Sequence, residues 1–171
     1  MGAGKGRSRR IQATARRPSR PPPKPGERRP VMISIQPEWS RLIQNGTKTV
    51  ELRRQRSGCE PGTKVAIYTS FPVKRVEAIA TVAAVHALAP DELWQTVGAQ
   101  SATSREDFFS YLGDLNVAYG IELSDVQPVT PFALGRSGPQ SWRYLFADEP
   151  EGQEVIAACE MQQPSEGSEI S

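Results

Sequence analysis

The chain has 171 residues with 21 Lys or Arg and 19 Asp or Glu, giving a net charge of +2. Residues 1–30 hold ten basic residues and one acid, residues 31–145 hold eleven of each, and residues 146–171 hold seven acids and no Lys or Arg. This pattern predicts one domain between a basic and an acidic tail. Apolar runs are too short for a membrane span, and the basic start is followed by Pro-rich sequence instead of the apolar region of a secretory signal. Two distant cysteines argue against a disulfide scaffold, so we expect a cytoplasmic protein that binds no membrane.

Both ends of the chain have the composition of disordered tails. Residues 1–30 contain no aromatic residue, one branched aliphatic (Ile11) and six prolines. Such a segment buries too little apolar surface to offset its ordering entropy. It could act as a phosphate-neutralising arm, as a solubilising tail, or as a stretch that precedes a true start at Met32. The acidic residues 147–171 are also predicted to be disordered.

Six segments of the predicted domain, residues 31–146, have the alternating or β-branched sequence that is typical of strands. They are residues 33–35, 47–53, 64–70, 76–88, 117–123 and 140–146. The stretch 76–88 is long and contains no breaker, which is consistent with a strand that bends through a barrel.

Three short helices are predicted between these strands from their start and stop residues. They are bounded by Pro37 and Gly46, by Pro90 and Gly98, and by Ser104 and Gly113. The element order β-α-β-β-β-α-α-β-β contains too few βαβ units for a doubly wound parallel sheet. We therefore predict an α+β domain, a small β-barrel with short helices at its sides.

The densest polar cluster has the pattern G-x-K-x-x-E-x-R and contains Lys48, Glu51 and Arg53. With the Pro-started helix before it and the strand through Tyr68 after it, this pattern resembles the activating signal cointegrator homology (ASCH) domain of the PUA-like superfamily. The similarity extends over nearly all of residues 32–145, and it is to small prokaryotic members labelled predicted transcriptional regulators. The resemblance implies a PUA-like barrel with a cleft for RNA or a nucleotide-sized ligand.

The resemblance also implies an alternative, enzymatic activity. One branch of the family is a small amidohydrolase that removes the acyl group from N4-acylcytidine nucleosides. It uses a lysine of this motif, a threonine three residues later and a glutamate from a later strand. Lys48 matches the lysine, Glu51 stands at the threonine position, and Glu77 is the candidate glutamate. If the chain is an enzyme, these are its expected catalytic residues.

The residues themselves favour binding of a phosphate or carboxyl group by Lys48. Glu51 should stabilise its ammonium form, whereas a lysine base needs a lowered pKa. Strand alternation puts Lys48 and Glu51 on opposite faces, so they converge only if the turn at Gly46 re-aims Lys48. Otherwise Glu51 and Arg53 form a structural ion pair. Arg53 can hold a phosphate through two hydrogen bonds, and Arg54 extends the charge.

Other candidates lie outside the motif. Gln140 or Ser141 could hydrogen-bond a base edge, and Tyr68 ends a strand near the same expected cleft. Trp142 is more typical of a core residue. His86 is the only histidine, and it lies in an apolar run without carboxylate or cysteine neighbours, so neither a His-centred triad nor a multi-His metal site is expected.

The sequence thus predicts a domain that binds RNA or a nucleotide without a metal ion or cofactor. The predicted binding residues are Lys48, Glu51, Arg53, Arg54, Tyr68, Gln140 and Ser141. The alternatives are the amidohydrolase and a protein-interaction module in transcription or translation.

Overall fold

The structure, a computed structural model, describes residues 20–161. The predicted disorder of residues 1–19 and 162–171 concerns segments outside these described residues. The strands are β1 (Val31–Ile35), β2 (Val50–Arg53), β3 (Lys64–Thr69), β4 (Arg75–Leu88), β5 (Ala118–Ala133) and β6 (Trp142–Tyr144). The helices are α1 (Pro37–Gln44), α2 (Pro90–Val97), α3 (Arg105–Leu112) and α4 (Pro150–Met161), with a short 3-10 turn at Ala99–Ser101.

The six strands form one mixed sheet in the order β2-β5-β4-β3-β1-β6. Only β1 and β3 pair in parallel, and the remaining neighbours are antiparallel. Three register shifts interrupt the β4–β5 ladder, and such irregularities increase the local bend and twist of a sheet. The sheet curls into a half-barrel flanked by helices, which confirms the predicted α+β fold.

Both faces of the central strands are buried. Along β1, Val31, Ile33 and Ile35 belong to the cluster inside the curl, whereas Met32 belongs to a second cluster on the opposite face. A third cluster packs β2 against α2 and α3, around the fully buried Phe108. No helix of residues 20–161 is long and apolar enough to cross a membrane.

Disorder was predicted for residues 147–171, but within the described part of this segment Pro150–Met161 form the helix α4. Val155 is fully buried and joins Met32 in the second cluster, with Cys159 packed at its edge. The short apolar patch around residue 155 is sufficient to hold α4 against the domain, because the sheet offers a complementary apolar face. Cys59 and Cys159 are both free thiols.

The end of the predicted basic tail also contacts the domain. Arg20 forms two hydrogen bonds with Asp148, at 2.7 and 2.9 Å, and the Arg29 guanidinium lies 4.7 Å from the centre of the Phe146 ring. Arg28 donates to the carbonyl of Pro61. Residues 20–30 therefore differ from the disordered segment that composition predicted.

Candidate functional site

A cavity of about 470 Å³ lies where β1, α1, β2 and α3 meet; we call it the cleft. Its charged and amide side chains are Lys48, Glu51, Arg53, Asp107, Gln36 and Gln140. Its aromatic side chains are Trp39, Phe108 and Tyr111. The cleft thus combines a few polar groups with aromatic walls, as small-molecule sites usually do.

The end of α1 determines where Lys48 points. Gly46 has a φ of +82°, a left-handed conformation that glycine adopts without strain. The Lys48 N–H then donates to the carbonyl of Leu42, and the Thr49 N–H to that of Gln100. Residues 47–49 are therefore tied to α1 and the 3-10 turn, and β2 begins only at Val50. This corrects the strand predicted over residues 47–53.

As a result, Lys48 and Glu51 converge. Lys48 Nζ lies 3.7 Å from Glu51 Oε2, although strand alternation would have separated them. The Glu51 carboxylate also pairs with Arg53, whose Nη2 lies 3.2 Å from Oε1. The two arrangements that the sequence left open, a convergent site and a Glu51–Arg53 ion pair, are present together.

Lys48 lies in an environment that disfavours its charge. Its side chain is only 3% exposed, and Nζ donates to the carbonyl of Ser101 at 2.8 Å and lies 5.3 Å from the centre of the Trp39 ring. Burial lowers the pKa of Lys48 and outweighs the opposing effect of Glu51, while Arg53 lowers the pKa further. The expected stabilisation of the ammonium form by Glu51 is therefore not the dominant effect.

Arg53 connects the edge strand β2 to the other side of the open sheet. From the edge strand β2, its Nη2 donates to the Ser34 carbonyl on β1 at 2.8 Å, and Nη1 approaches Ser141 Oγ at 3.4 Å. Its Nε is buried and has no hydrogen-bond partner among the described residues. Arg53 is thus both a wall of the cleft and a structural tie that closes the half-barrel.

The remaining predicted residues are distributed unevenly. Gln140 lines the cleft, and Ser141 lies beside it as a partner of Arg53. Arg54 instead pairs with Asp114 at 2.7 Å and donates to the Tyr111 carbonyl. Tyr68, 6% exposed, belongs to the second core cluster. Neither Arg54 nor Tyr68 lines the cleft.

Glu77, the candidate third catalytic residue of an amidohydrolase, lies in another cavity, with Arg41 and Gln44. Its carboxylate accepts hydrogen bonds from Thr69 and Gln44. The set Lys48, Glu51 and Glu77 is therefore not assembled in one place.

Sequence reasoning missed the contributions of the helices to the cleft. Trp39 lies on the apolar face of α1 and packs on the core, but it also lines the cleft. Tyr111 and Asp107 come from α3; Tyr111 is 44% exposed, and its partial burial raises the pKa of its hydroxyl. The only sequence signal for these residues was the spacing of positions 104, 107, 108 and 111, which is the i, i+3, i+4, i+7 pattern of one helix face.

The histidine has a partner that its sequence neighbours concealed. His86 Nε2 lies 3.2 Å from Glu122 Oε2, because β4 and β5 are paired. Within residues 20–161, no group of three or more His, Cys, Asp or Glu residues is placed to hold a metal ion.

No protein-family profile matches the chain. The ASCH domain-containing ribonuclease of Zymomonas mobilis is 29% identical over 131 residues, which cover 72% of this chain and 88% of that protein. The crystal structure of ASCH from Zymomonas mobilis matches with a TM-score of 0.69 and 27% identity, over 77% of this chain and 96% of that one. A tyrosine-to-phenylalanine mutant of ZmASCH matches with a TM-score of 0.68 and 27% identity, over 77% of this chain and 98% of that one. The sequence and structural matches agree and both extend over most of the described residues, so the chain is similar to ASCH-domain proteins in sequence and in fold.

Proposed function

We propose that the chain binds RNA and that the cleft takes one of its nucleotides. The observation that carries this proposal is the convergence of Lys48, Glu51, Arg53 and Gln140 on one cavity of about 470 Å³, within the usual size range of small-ligand sites. A similar protein is named a ribonuclease, which supports RNA as the ligand rather than a free nucleotide.

The chemistry of the cleft suits a nucleotide. Trp39 and Tyr111 offer ring surfaces on which a base can stack. The Lys48 ammonium and the outer edge of the Arg53 guanidinium can attract a phosphate, while the Glu51 carboxylate and the Gln140 amide can accept hydrogen bonds from a base or a ribose hydroxyl. When Lys48 is protonated, Lys48 and Arg53 balance the charges of Glu51 and Asp107, so an anionic ligand would be held by direct contacts with the two cations and not by a net positive cleft.

The proposal is tested by titrating a labelled ten-nucleotide single-stranded RNA of mixed sequence and following fluorescence anisotropy. Lys48→Met should weaken binding about tenfold or more, since hydrogen bonds to charged groups contribute about 1.5–3 kcal/mol. The matched control is Lys64→Met, because Lys64 is a half-buried lysine that donates to Thr81 and does not line the cleft. Equal affinity for folded Lys48→Met and the wild type would reject the cleft as the binding site.

Cleavage of the bound RNA is the second candidate function, favoured by the lowered pKa of Lys48 and its 3.7 Å separation from Glu51. In this reaction the Glu51 carboxylate takes the proton of a ribose 2′-hydroxyl, whose oxygen attacks the adjacent phosphorus. The bond to the 5′-oxygen breaks, and the Lys48 ammonium protonates that oxygen. The products are a 2′,3′-cyclic phosphate and a free 5′-hydroxyl.

Product analysis separates this activity from the remaining alternatives. RNA cleavage predicts cyclic-phosphate ends, no reaction of the equivalent DNA, and loss of turnover in both Lys48→Met and Glu51→Gln. Release of acetate from N4-acetylcytidine would instead favour the amidohydrolase. If the folded protein neither binds RNA nor performs either reaction, the protein-interaction module becomes the better explanation.

A further inference from the structure

Residues 70–75, which are the turn between β3 and β4 and the first residue of β4, carry an aromatic ring that the fold does not bury; we call this segment the rim turn. Phe71 is 75% exposed, and the Lys74 ammonium lies 5.3 Å from the centre of its ring. Arg75, which follows, is also exposed. Among residues 20–161, neither Lys74 nor Arg75 has an acidic partner within 4 Å. An exposed ring beside two unpaired cations is the composition of a nucleic-acid contact.

The rim turn is anchored beside the cleft. Ser70 lines the cleft, and its N–H donates to the carbonyl of Ile35 at 2.8 Å. The N–H groups of Val73 and Lys74 both donate to the Ser70 carbonyl, at 3.0 and 3.2 Å. Phe71 is therefore held one residue from the cleft wall, about 3.8 Å along the chain. An RNA chain that leaves the cleft on this side would contact the Phe71 ring first.

The charge continues past the rim turn. Val73 lines a second cavity, of about 400 Å³, together with Arg41 of α1. Arg41 is exposed and has no acidic partner within 4 Å among the described residues. The acidic group of this cavity, Glu77, is held by Thr69 and Gln44. The rim turn and this cavity together contribute three cations, Lys74, Arg75 and Arg41, and one engaged carboxylate, Glu77.

We propose that the rim turn is a second contact site for RNA, in which Phe71 stacks on the base next to the nucleotide in the cleft while Lys74 and Arg75 contact its phosphates. This inference rests on the proposed RNA binding and adds that the RNA is single-stranded, because bases in a duplex are not free to stack on a protein ring. Lys74 covers part of one face of the Phe71 ring, and the exposure of the rest leaves room for a base.

The experiment uses the full chain and the same ten-nucleotide RNA, single-stranded or annealed to its complement. Phe71→Leu should lower the affinity for the single strand about tenfold, whereas Phe71→Tyr should keep it, because stacking requires a ring and not merely an apolar group. The double variant Lys74→Ala/Arg75→Ala should reduce the slope of log affinity against log salt by about 1.4, the value for two phosphate contacts with a single strand.

Two controls match these changes. Val117→Ala alters another exposed apolar residue, 44% exposed, and Lys24→Ala removes an exposed cation of residues 20–30; both should bind like the wild type. If Phe71→Leu binds RNA as tightly as the wild type while Lys48→Met still weakens binding, the second contact site is wrong and the proposed function stands. If the wild type binds the duplex as tightly as the single-stranded RNA, the inferred preference for single-stranded RNA is wrong. A wild-type chain that binds no RNA would overturn both proposals.

Discussion

The Lys48 ammonium is surrounded by the Ser101 carbonyl, the Glu51 carboxylate and the Trp39 ring. Such a site holds the charged form through specific contacts but deprives it of bulk water. The balance favours the neutral amine more than in an exposed lysine, and the pKa is lowered. The same side chain can therefore bind an anion or donate a proton when it is protonated, and it can do neither when it is neutral, so pH separates the two states.

We predict opposite effects of pH on stability and on RNA affinity. Between the lowered pKa of Lys48 and its ordinary value of 10.5, the unfolded chain binds more protons at this site than the folded chain. The contribution of Lys48 to the free energy of unfolding therefore rises with pH through this window. RNA affinity should fall as pH rises through the lowered pKa, because the ammonium is lost. Anisotropy titrations between pH 7 and 10 check this.

Lys48→Arg is the control for the pH experiment, since arginine stays protonated throughout the range. The variant should bind RNA with an affinity that changes little with pH. A wild-type profile as flat as that of Lys48→Arg would contradict the lowered pKa.

At this scale the sequence located the charged part of the cleft but not its walls. Lys48, Glu51 and Arg53 lie within six residues of each other, so a local pattern could place them together. Trp39 and Tyr111 come from separate helices, and an aromatic residue on an apolar helix face is equally typical of a core. Tyr68 and Arg54 were predicted to bind the ligand but do not line the cleft. The sequence does not reveal in which direction the fold points a polar side chain on a strand or a loop.

The sequence predicted helix boundaries well where capping or stop residues were present. α1 ends before Gly46, α2 before Gly98, and Ser104 caps α3 by accepting from the Asp107 N–H at 3.1 Å. The strand predicted over residues 117–123 instead extends to Ala133, through Pro128. Proline normally argues against a strand, but β2 pairs only with residues 119–122 of β5. Pro128 therefore lies in a part of β5 that pairs with β4 on one side and has no other described strand beside it.

The turn after α1 supports a prediction about the cleft. Gly46→Ala should lower the free energy of unfolding by about 1 kcal/mol, because a φ of +82° is unfavourable for a residue with a Cβ. It should also weaken RNA binding, since the turn aims Lys48. Urea denaturation and anisotropy measure the two effects.

Gly135→Ala is the matched control, because a Cβ there meets no atom within 4 Å and its φ is not positive. The space around Gly46 is equally open, so only the backbone conformation distinguishes the two sites. Equal stability of the two variants would contradict the role of the left-handed residue.

The whole molecule is larger than the predicted domain of residues 31–146. Composition indicated tails because it counts charges and apolar residues without knowing which surface they meet. Both tails have described parts that pack on the domain: Arg20 and Arg29 contact Asp148 and Phe146, and α4 covers the outer face of the sheet. Within the described residues, the Arg20–Asp148 ion pair links the basic end to the acidic end.

We predict that α4 is required for full stability. Val155→Ala should lower the free energy of unfolding by about 2 kcal/mol, because two buried methyl groups are lost and a cavity remains. Removing residues 147–171 should cost more, since Met32 and Leu145 lose their cover. Urea denaturation of each variant checks this. Glu154→Ala, at an exposed position of the same helix, should change the midpoint little; a truncated chain as stable as the wild type would support the shorter domain instead.

The tie made by Arg53 has a consequence for redesign of the protein. Beside the cleft the Arg53 side chain spans from β2 to the Ser34 carbonyl of β1, and among the described strands no backbone ladder joins β2 to β1 or β6. Arg53 lines the cleft, and Ser141 lies beside it at 3.4 Å from Nη1, so we expect both positions to influence the width of the cleft. A small library of substitutions at positions 53 and 141 would therefore vary the size of the ligand that fits, while the rest of the sheet keeps its hydrogen bonds.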